Sequence, residues 1–171
     1  FSGVTIVVSP LIALMKDQVD GLRAHGIAAG FINSSLTAAQ IARVQQMARD
    51  GALKILYVAP ERLASPEFQD FLRSVELSLF AIDEAHCISE WGHEFRPEYR
   101  NLKTLRRDFP EVPIVALTAT ATEQVRRDIV NQLGLGQAQV FISSFNRANL
   151  SYSVQPKRNS FNRLLKLLNK H

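Results

Sequence analysis

Short apolar runs rich in β-branched residues alternate with segments of helical period through the first 143 residues. The runs fall at 4–8, 27–31, 53–59, 77–83, 114–118 and 139–143. Several are nearly continuous in apolar character, as strands buried on both faces are. Between the first two, residues 10–24 carry Leu11, Leu14, Met15, Val19 and Leu22 on one helical face, with Ser9 placed as N-cap and Pro10 at the first helical position. Thr37 and Gln40 form a capping-box pattern, with Leu36 and Ile41 as its hydrophobic staple, and open a helix through about Arg49. Thr120 and Glu123 repeat the pattern before a helix that runs out at Gly134. Strands alternating with helices predict right-handed crossovers, hence an α/β fold with an open parallel sheet and helices on both faces. Ligands of such sheets bind at the carboxyl ends of the strands, and candidate chemistry is sought there.

The pattern changes after Ser144. Residues 149–155 read as a further strand, and Phe161, Leu164, Leu165 and Leu168 then make one apolar helical stripe with little chain left to pack against. The expected organisation is one domain over 1–143 and a linker opening a second over 144–171, with the boundary near 143–146.

A chain of 171 residues, 46% hydrophobic and 21% charged, buries about 70% of its unfolded surface without disulfides and is neither disordered nor low in complexity. The single cysteine, Cys87, has no internal partner, and no run nears the roughly 18 apolar residues of a membrane helix. A reducing, cytosolic compartment is expected, with no membrane partner. The net charge of +4 is misleading as a sign of nucleic-acid binding. Residues 145–171 hold six basic and no acidic side chains, which leaves the first 144 at net −2. Any claim of phosphate binding by the main domain therefore rests on particular residues. The chain starts Phe1-Ser2-Gly3, with neither an initiator Met nor a signal segment, and so is expected to be processed or a piece of a longer protein.

The strongest candidate site is Asp83-Glu84-Ala85-His86, which follows the apolar run Leu79-Phe80-Ala81-Ile82. Such a strand delivers Asp83 to the sheet edge, where a carboxylate can hold Mg²⁺ through water and Glu84 can orient or deprotonate an attacking water. Acidic residues after strands are common, so the tetrapeptide alone leaves two solvated carboxylates as an even alternative. Residues 86–100 then pack three aromatics, two histidines and two arginines into a loop. Rings stack on bases while guanidinium meets phosphate, which suits single-stranded nucleic acid. The plainer alternative has Trp91 and Phe95 plugging the loop onto the domain, and Tyr99, which starts the next helix, is assigned to packing. Pro97 stands where a zinc-protease spacing from His93-Glu94 would need histidine. His86, Cys87 and His93 lack a fourth ligand at a usual spacing, so no structural zinc is expected, and Cys87 is read as packing.

The runs VVSPLIALMKDQV (7–19), YVAPERL (57–63), DEAHCISEWGHEFRPEYR (83–100), ALTATAT (116–122) and SSFNRANL (143–150) resemble, in order and spacing, successive motifs of the RecQ family of ATP-dependent DNA helicases. The resemblance covers nearly the whole chain. It implies the first RecA-like lobe of a superfamily 2 helicase that moves 3′ to 5′ on single-stranded DNA, unwinds duplex DNA in recombination and repair, and binds ATP and Mg²⁺ between two lobes. Asp83 would coordinate Mg²⁺ and Glu84 would be the base for ATP hydrolysis. His86 would relay nucleotide state to the aromatic loop, where Trp91, Phe95 and Arg96 would grip or sense single-stranded DNA. Thr118 and Thr120 would couple hydrolysis to unwinding, with Thr118 favoured because Thr120 has a capping role. Ser9, Pro10 and Lys16 would lie along the DNA backbone. Lys16 otherwise reads as a solvated lysine, and Glu61-Arg62 as DNA contact or solvated turn.

Two departures stand out: Glu90 replaces the family's usual glutamine and adds negative charge beside the loop, and Ala148 replaces a common proline. No G-x-x-x-x-G-K-[ST] phosphate loop occurs in the sequence. The resemblance puts that loop before Phe1, and the second lobe with its arginine finger, zinc-binding and winged-helix regions after His171. The expectation is part of a helicase, inactive alone for want of the phosphate cradle. Two rivals remain. One is a non-catalytic module binding single strands or a partner, against which both carboxylates count; the other is an RNA helicase of the DEAH or DEAD groups, against which the loop counts.

Overall fold

The computed structural model describes residues 2–143, 148–154 and 156–168. Its compact units are Phe1–Ala138 and Gln139–His171. In the first, strands β1 (Val4–Val8), β2 (Ala29–Ile32), β3 (Ile55–Val58), β4 (Leu77–Ile82) and β5 (Ile114–Ala116) form one parallel sheet in the order β2-β3-β1-β4-β5. Helices α1 (Ile12–Ala24), α2 (Ala38–Arg49), α3 (Pro66–Arg73), α4 (Leu105–Asp108) and α5 (Glu123–Gln132) connect and follow them, with 3₁₀ turns at Pro60–Ala64, Ala85–Ile88 and Pro97–Thr104.

Register explains how the core is distributed. Ile6 pairs with Leu56 and Phe80, and Val8 with Val58 and Ile82, so these residues share one face, and all six are fully buried. Tyr99, Leu102, Phe71, Leu72, Val125 and Ile129 pack into the same cluster. The other face, with Thr5, Val7, Tyr57, Leu79 and Ala81, is only half-buried. The expectation of strands buried on both faces is thus met on one. The strand order supplies the reason: β1 to β2 steps one way across the sheet and the next three connections step the other way, and right-handed crossovers then leave α1 alone on the second face.

Local signals fared unevenly. Thr37 and Gln40 form the reciprocal capping box, and each of the five strands of the sheet lies within a few residues of an expected run. Helix α1, however, starts at Ile12 with Leu11 as N-cap, so Ser9 is not the cap and Pro10 lies outside the helix. Ser9 stays with the sheet, its amide donating to Val58 O at 3.1 Å. The cap of α5 is Thr122, which accepts from Val125 N at 3.3 Å, rather than Thr120. Helix α3 starts at Ser65-Pro66, with the Ser65 side chain accepting from Phe68 N and Pro66 in the first turn, a local signal outside the expected elements.

In the second unit, residues 139–143 form no strand, nor do the described residues of 149–155. Without a neighbouring strand to complete its hydrogen bonds, β-propensity alone does not make one. The boundary expected near 143–146 falls mostly outside the described residues. Helix α6 (Ser160–Leu168) is present and its Phe161, Leu164, Leu165 and Leu168 are exposed. Among the described residues no helix is long and apolar enough to cross a membrane.

Candidate functional site

Strands β1 and β4 are neighbours, and their carboxyl ends bring Ser9 and Asp83 together. Asp83 Oδ1 accepts from Glu84 N at 2.9 Å, and Ser9 Oγ donates to Asp83 Oδ2 at 3.4 Å. Glu84 then takes a left-handed conformation (φ 46°, ψ 44°), which costs a residue with a Cβ roughly 1 kcal/mol or more and recurs where function over-determines the backbone. The turn that follows is held from two sides: Ala85 N donates to Leu117 O, and Cys87 N to Glu84 O, each at 2.9 Å.

His86 is buried, with Nδ1 2.9 Å from Thr118 Oγ1 and 3.3 Å from Glu84 Oε2. One imidazole therefore links the DEAH turn to the segment after β5. Thr118 Oγ1 also accepts from Thr120 N at 3.3 Å, while Thr120 itself is exposed. The coupling pair expected at 118 and 120 thus divides, and only Thr118 touches the histidine through its side chain.

The loop is closed at its base by Arg96 N donating to Cys87 O at 2.9 Å. Trp91, 72% exposed, does not plug the loop onto the domain, whereas Phe95 is half-buried beneath the Arg100 guanidinium at 5.0 Å. Glu90 pairs with Arg100, which offsets the extra negative charge expected there. Gly92 is required by close approach, since a Cβ would stand 2.5 Å from His86 O. Cys87 is a free, buried thiol whose burial pushes its pKa up, which accords with packing in the free chain.

Tyr99 does more than pack. Its fully buried ring carries the hydroxyl to Asp83 O at 2.9 Å, and burial pushes its pKa up strongly. A buried tyrosine needs a partner for its hydroxyl, and that was the available signal. Of the candidate DNA-backbone residues, Ser9 is fully buried and offers no surface, Pro10 is half-buried, and Lys16 is exposed in an ion pair with Asp20 at 2.7 Å. Asp83 and Glu84 offer anionic oxygen donors, the Asp83 carboxylate being held by Ser9 and the Glu84 amide, which fits Mg²⁺ bound through water.

Residues 2–128 match the DEAD/DEAH box helicase family. The chain belongs to that family. It is 50% identical over 157 residues to the ATP-dependent DNA helicase RecQ of Pasteurella multocida, covering 92% of this chain and 25% of that protein. It is 48% identical over 155 residues to the protein of the same name from Bacillus subtilis, covering 90% and 26%. With the RecQ-like DNA helicase BLM of Xenopus laevis it shares 44% over 163 residues, covering 91% and 12%. The chain spans about a quarter of the length of the RecQ proteins it matches. Among solved structures, the Hef helicase domain of Pyrococcus furiosus superposes with a TM-score of 0.51 at 15% identity, over 78% of this chain and 28% of that one, a likeness of fold. The RecA-like architecture expected of the sequence is therefore the observed one.

Proposed function

We propose that this chain is the part of an ATP-dependent DNA helicase that couples ATP hydrolysis to a grip on single-stranded DNA. The observation that carries the reading is the continuous linkage from Glu84 through His86 to Thr118 on one side, and through Cys87 and Arg96 to the exposed Trp91 loop on the other. The RecQ proteins above, named as ATP-dependent DNA helicases, support the same reading.

When bound, Mg²⁺-ATP supplies the phosphoryl group to be cleaved and the charge that Asp83 holds through water. Glu84 orients the attacking water and accepts its proton. His86 senses where the Glu84 carboxylate lies, because Nδ1 is within reach of both Glu84 and Thr118. Trp91 offers a ring for base stacking, and Arg96 a guanidinium for phosphate. Nothing in this sequence supplies the Gly-Lys-Ser/Thr cradle for the β- and γ-phosphates, so the chain acts with residues outside it.

Trp91 is the sole tryptophan, so its fluorescence reports on the loop without a label. Titrating the chain with oligo-dT at low salt is expected to quench it. Arg96→Ala should weaken binding and flatten its salt dependence, since one phosphate contact is lost. An unchanged Trp91 signal at saturating oligonucleotide would remove the loop from the DNA interface. Preference for RNA over DNA of the same sequence would favour an RNA helicase, and binding by a complete protein devoid of ATPase activity would favour a non-catalytic module.

A further inference from the structure

The buried His86 ring leaves one nitrogen unused. With Nδ1 facing Thr118 and Glu84, Nε2 is buried with no hydrogen-bond partner among the described residues. A buried polar atom of this kind costs about 1–3 kcal/mol unless something satisfies it. The next residue, Cys87, is a buried thiol in no disulfide with the Arg96 side chain beside it, and the loop brings Glu94 back to the turn. One ligand atom from each of His86, Cys87 and Glu94 lies within 4.8 Å of the others.

We propose that His86 Nε2, the Cys87 thiolate and the Glu94 carboxylate form a three-ligand site for a zinc-class divalent ion, with the fourth position open. The donor set of nitrogen, sulfur and oxygen is one that Zn²⁺ accepts, and three protein ligands with an open fourth position is a standard arrangement for it. A carboxylate or hydroxyl on the far nitrogen is the usual outer contact of a metal-bound histidine, and Glu84 and Thr118 supply both. Tetrahedral bond lengths of about 2.0–2.3 Å put ligand atoms roughly 3.5 Å apart, so the cluster must contract by about 1 Å. The exposed Glu94, on a loop, is free to make that movement. His93 is not a ligand here: its ring stacks on His86 with centroids 4.6 Å apart. Sequence spacing hid the arrangement because Glu94, rather than His93, completes the set. A bound ion would tie the loop to the DEAH turn and fix the His86 ring.

Cobalt(II) is a suitable probe, since thiolate ligation and tetrahedral geometry both give it distinctive absorption. The reduced, metal-free chain should take up one equivalent, develop a thiolate-to-cobalt charge-transfer band together with intense visible bands, and lose both to equimolar Zn²⁺. Cys87→Ser should abolish the charge-transfer band. Because Cys87 is in the core, Glu94→Gln provides the second variant: it is exposed, should leave the thermal unfolding of the metal-free chain unchanged, and should weaken Co²⁺ binding at least tenfold. No charge-transfer band at one equivalent overturns the site, as does a band that survives Cys87→Ser or an affinity indifferent to Glu94→Gln. The readout involves neither nucleotide nor DNA, so it fails or succeeds independently of the helicase reading.

Discussion

Tyr99 shows how a side chain read as packing comes to position chemistry. Its hydroxyl anchors the backbone carbonyl of Asp83, the residue whose carboxylate faces the candidate Mg²⁺ position. Tyr99→Phe keeps the volume and removes that bond, at an expected cost of about 1 kcal/mol, measured by denaturant or thermal unfolding. The pH dependence follows from burial, which raises the phenol pKa in the folded state above the value of about 10 in the unfolded chain. The fold then holds a proton that the unfolded chain releases, so this group's contribution is fully present below about pH 10 and declines as pH rises beyond it. Melting temperatures compared between pH 8 and pH 11 should therefore fall less for Tyr99→Phe than for the parent. Equal falls would assign the alkaline loss to other groups, Tyr57 among them, since burial raises its pKa too.

At the scale of elements, helix starts and tight loops are where local chemistry and tertiary context compete. Thr122, not Thr120, caps α5, so Thr122→Ala is expected to cost about 1 kcal/mol and Thr120→Ala under about 0.5 kcal/mol in thermal unfolding. Reversed values would return the cap to the position that sequence spacing favoured. Gly92 is the loop's tightest constraint, because a methyl there meets His86 O and then Ser89 O at 3.1 Å. Gly92→Ala should cost about 1–3 kcal/mol or force the loop open. The change would be read as a shifted Trp91 emission maximum in a chain whose far-ultraviolet circular dichroism is unchanged. An unaltered spectrum together with unaltered stability would show that the backbone yields at no cost.

For the whole molecule, the governing fact is that the chain carries the candidate carboxylates Asp83 and Glu84 and the aromatic loop while its sequence holds no phosphate loop. The purified 171-residue chain is therefore expected to show no DNA-stimulated ATP hydrolysis and no strand separation, in a phosphate-release assay and a fluorescent unwinding assay. Measurable DNA-stimulated turnover would mean that the phosphates are held by some other group in the chain. Uneven burial of the sheet belongs to this scale too. One face carries the packed core from Ile6 and Phe80 to Tyr99, while Thr5, Val7 and Ala81 on the other remain half-buried.

The sequence by itself determined the strand–helix alternation, the capping box at Thr37 and the five motifs, because each rests on near neighbours along the chain and on hydrophobic period. It also placed Asp83 and Glu84 correctly at the end of β4, since a buried strand followed by carboxylates has few other places to go. Only the tertiary structure decided that Ser9 leaves its expected helix to meet Asp83, that Thr118 rather than Thr120 meets His86, and that Glu94 returns to Cys87. Those outcomes depend on strand order and on loop closure, which juxtapose residues 74 and 32 positions apart in the first two cases. Local propensity carries no term for such distances, so the strands expected at 139–143 and 149–155 are legible as pattern and, among the described residues, absent as structure.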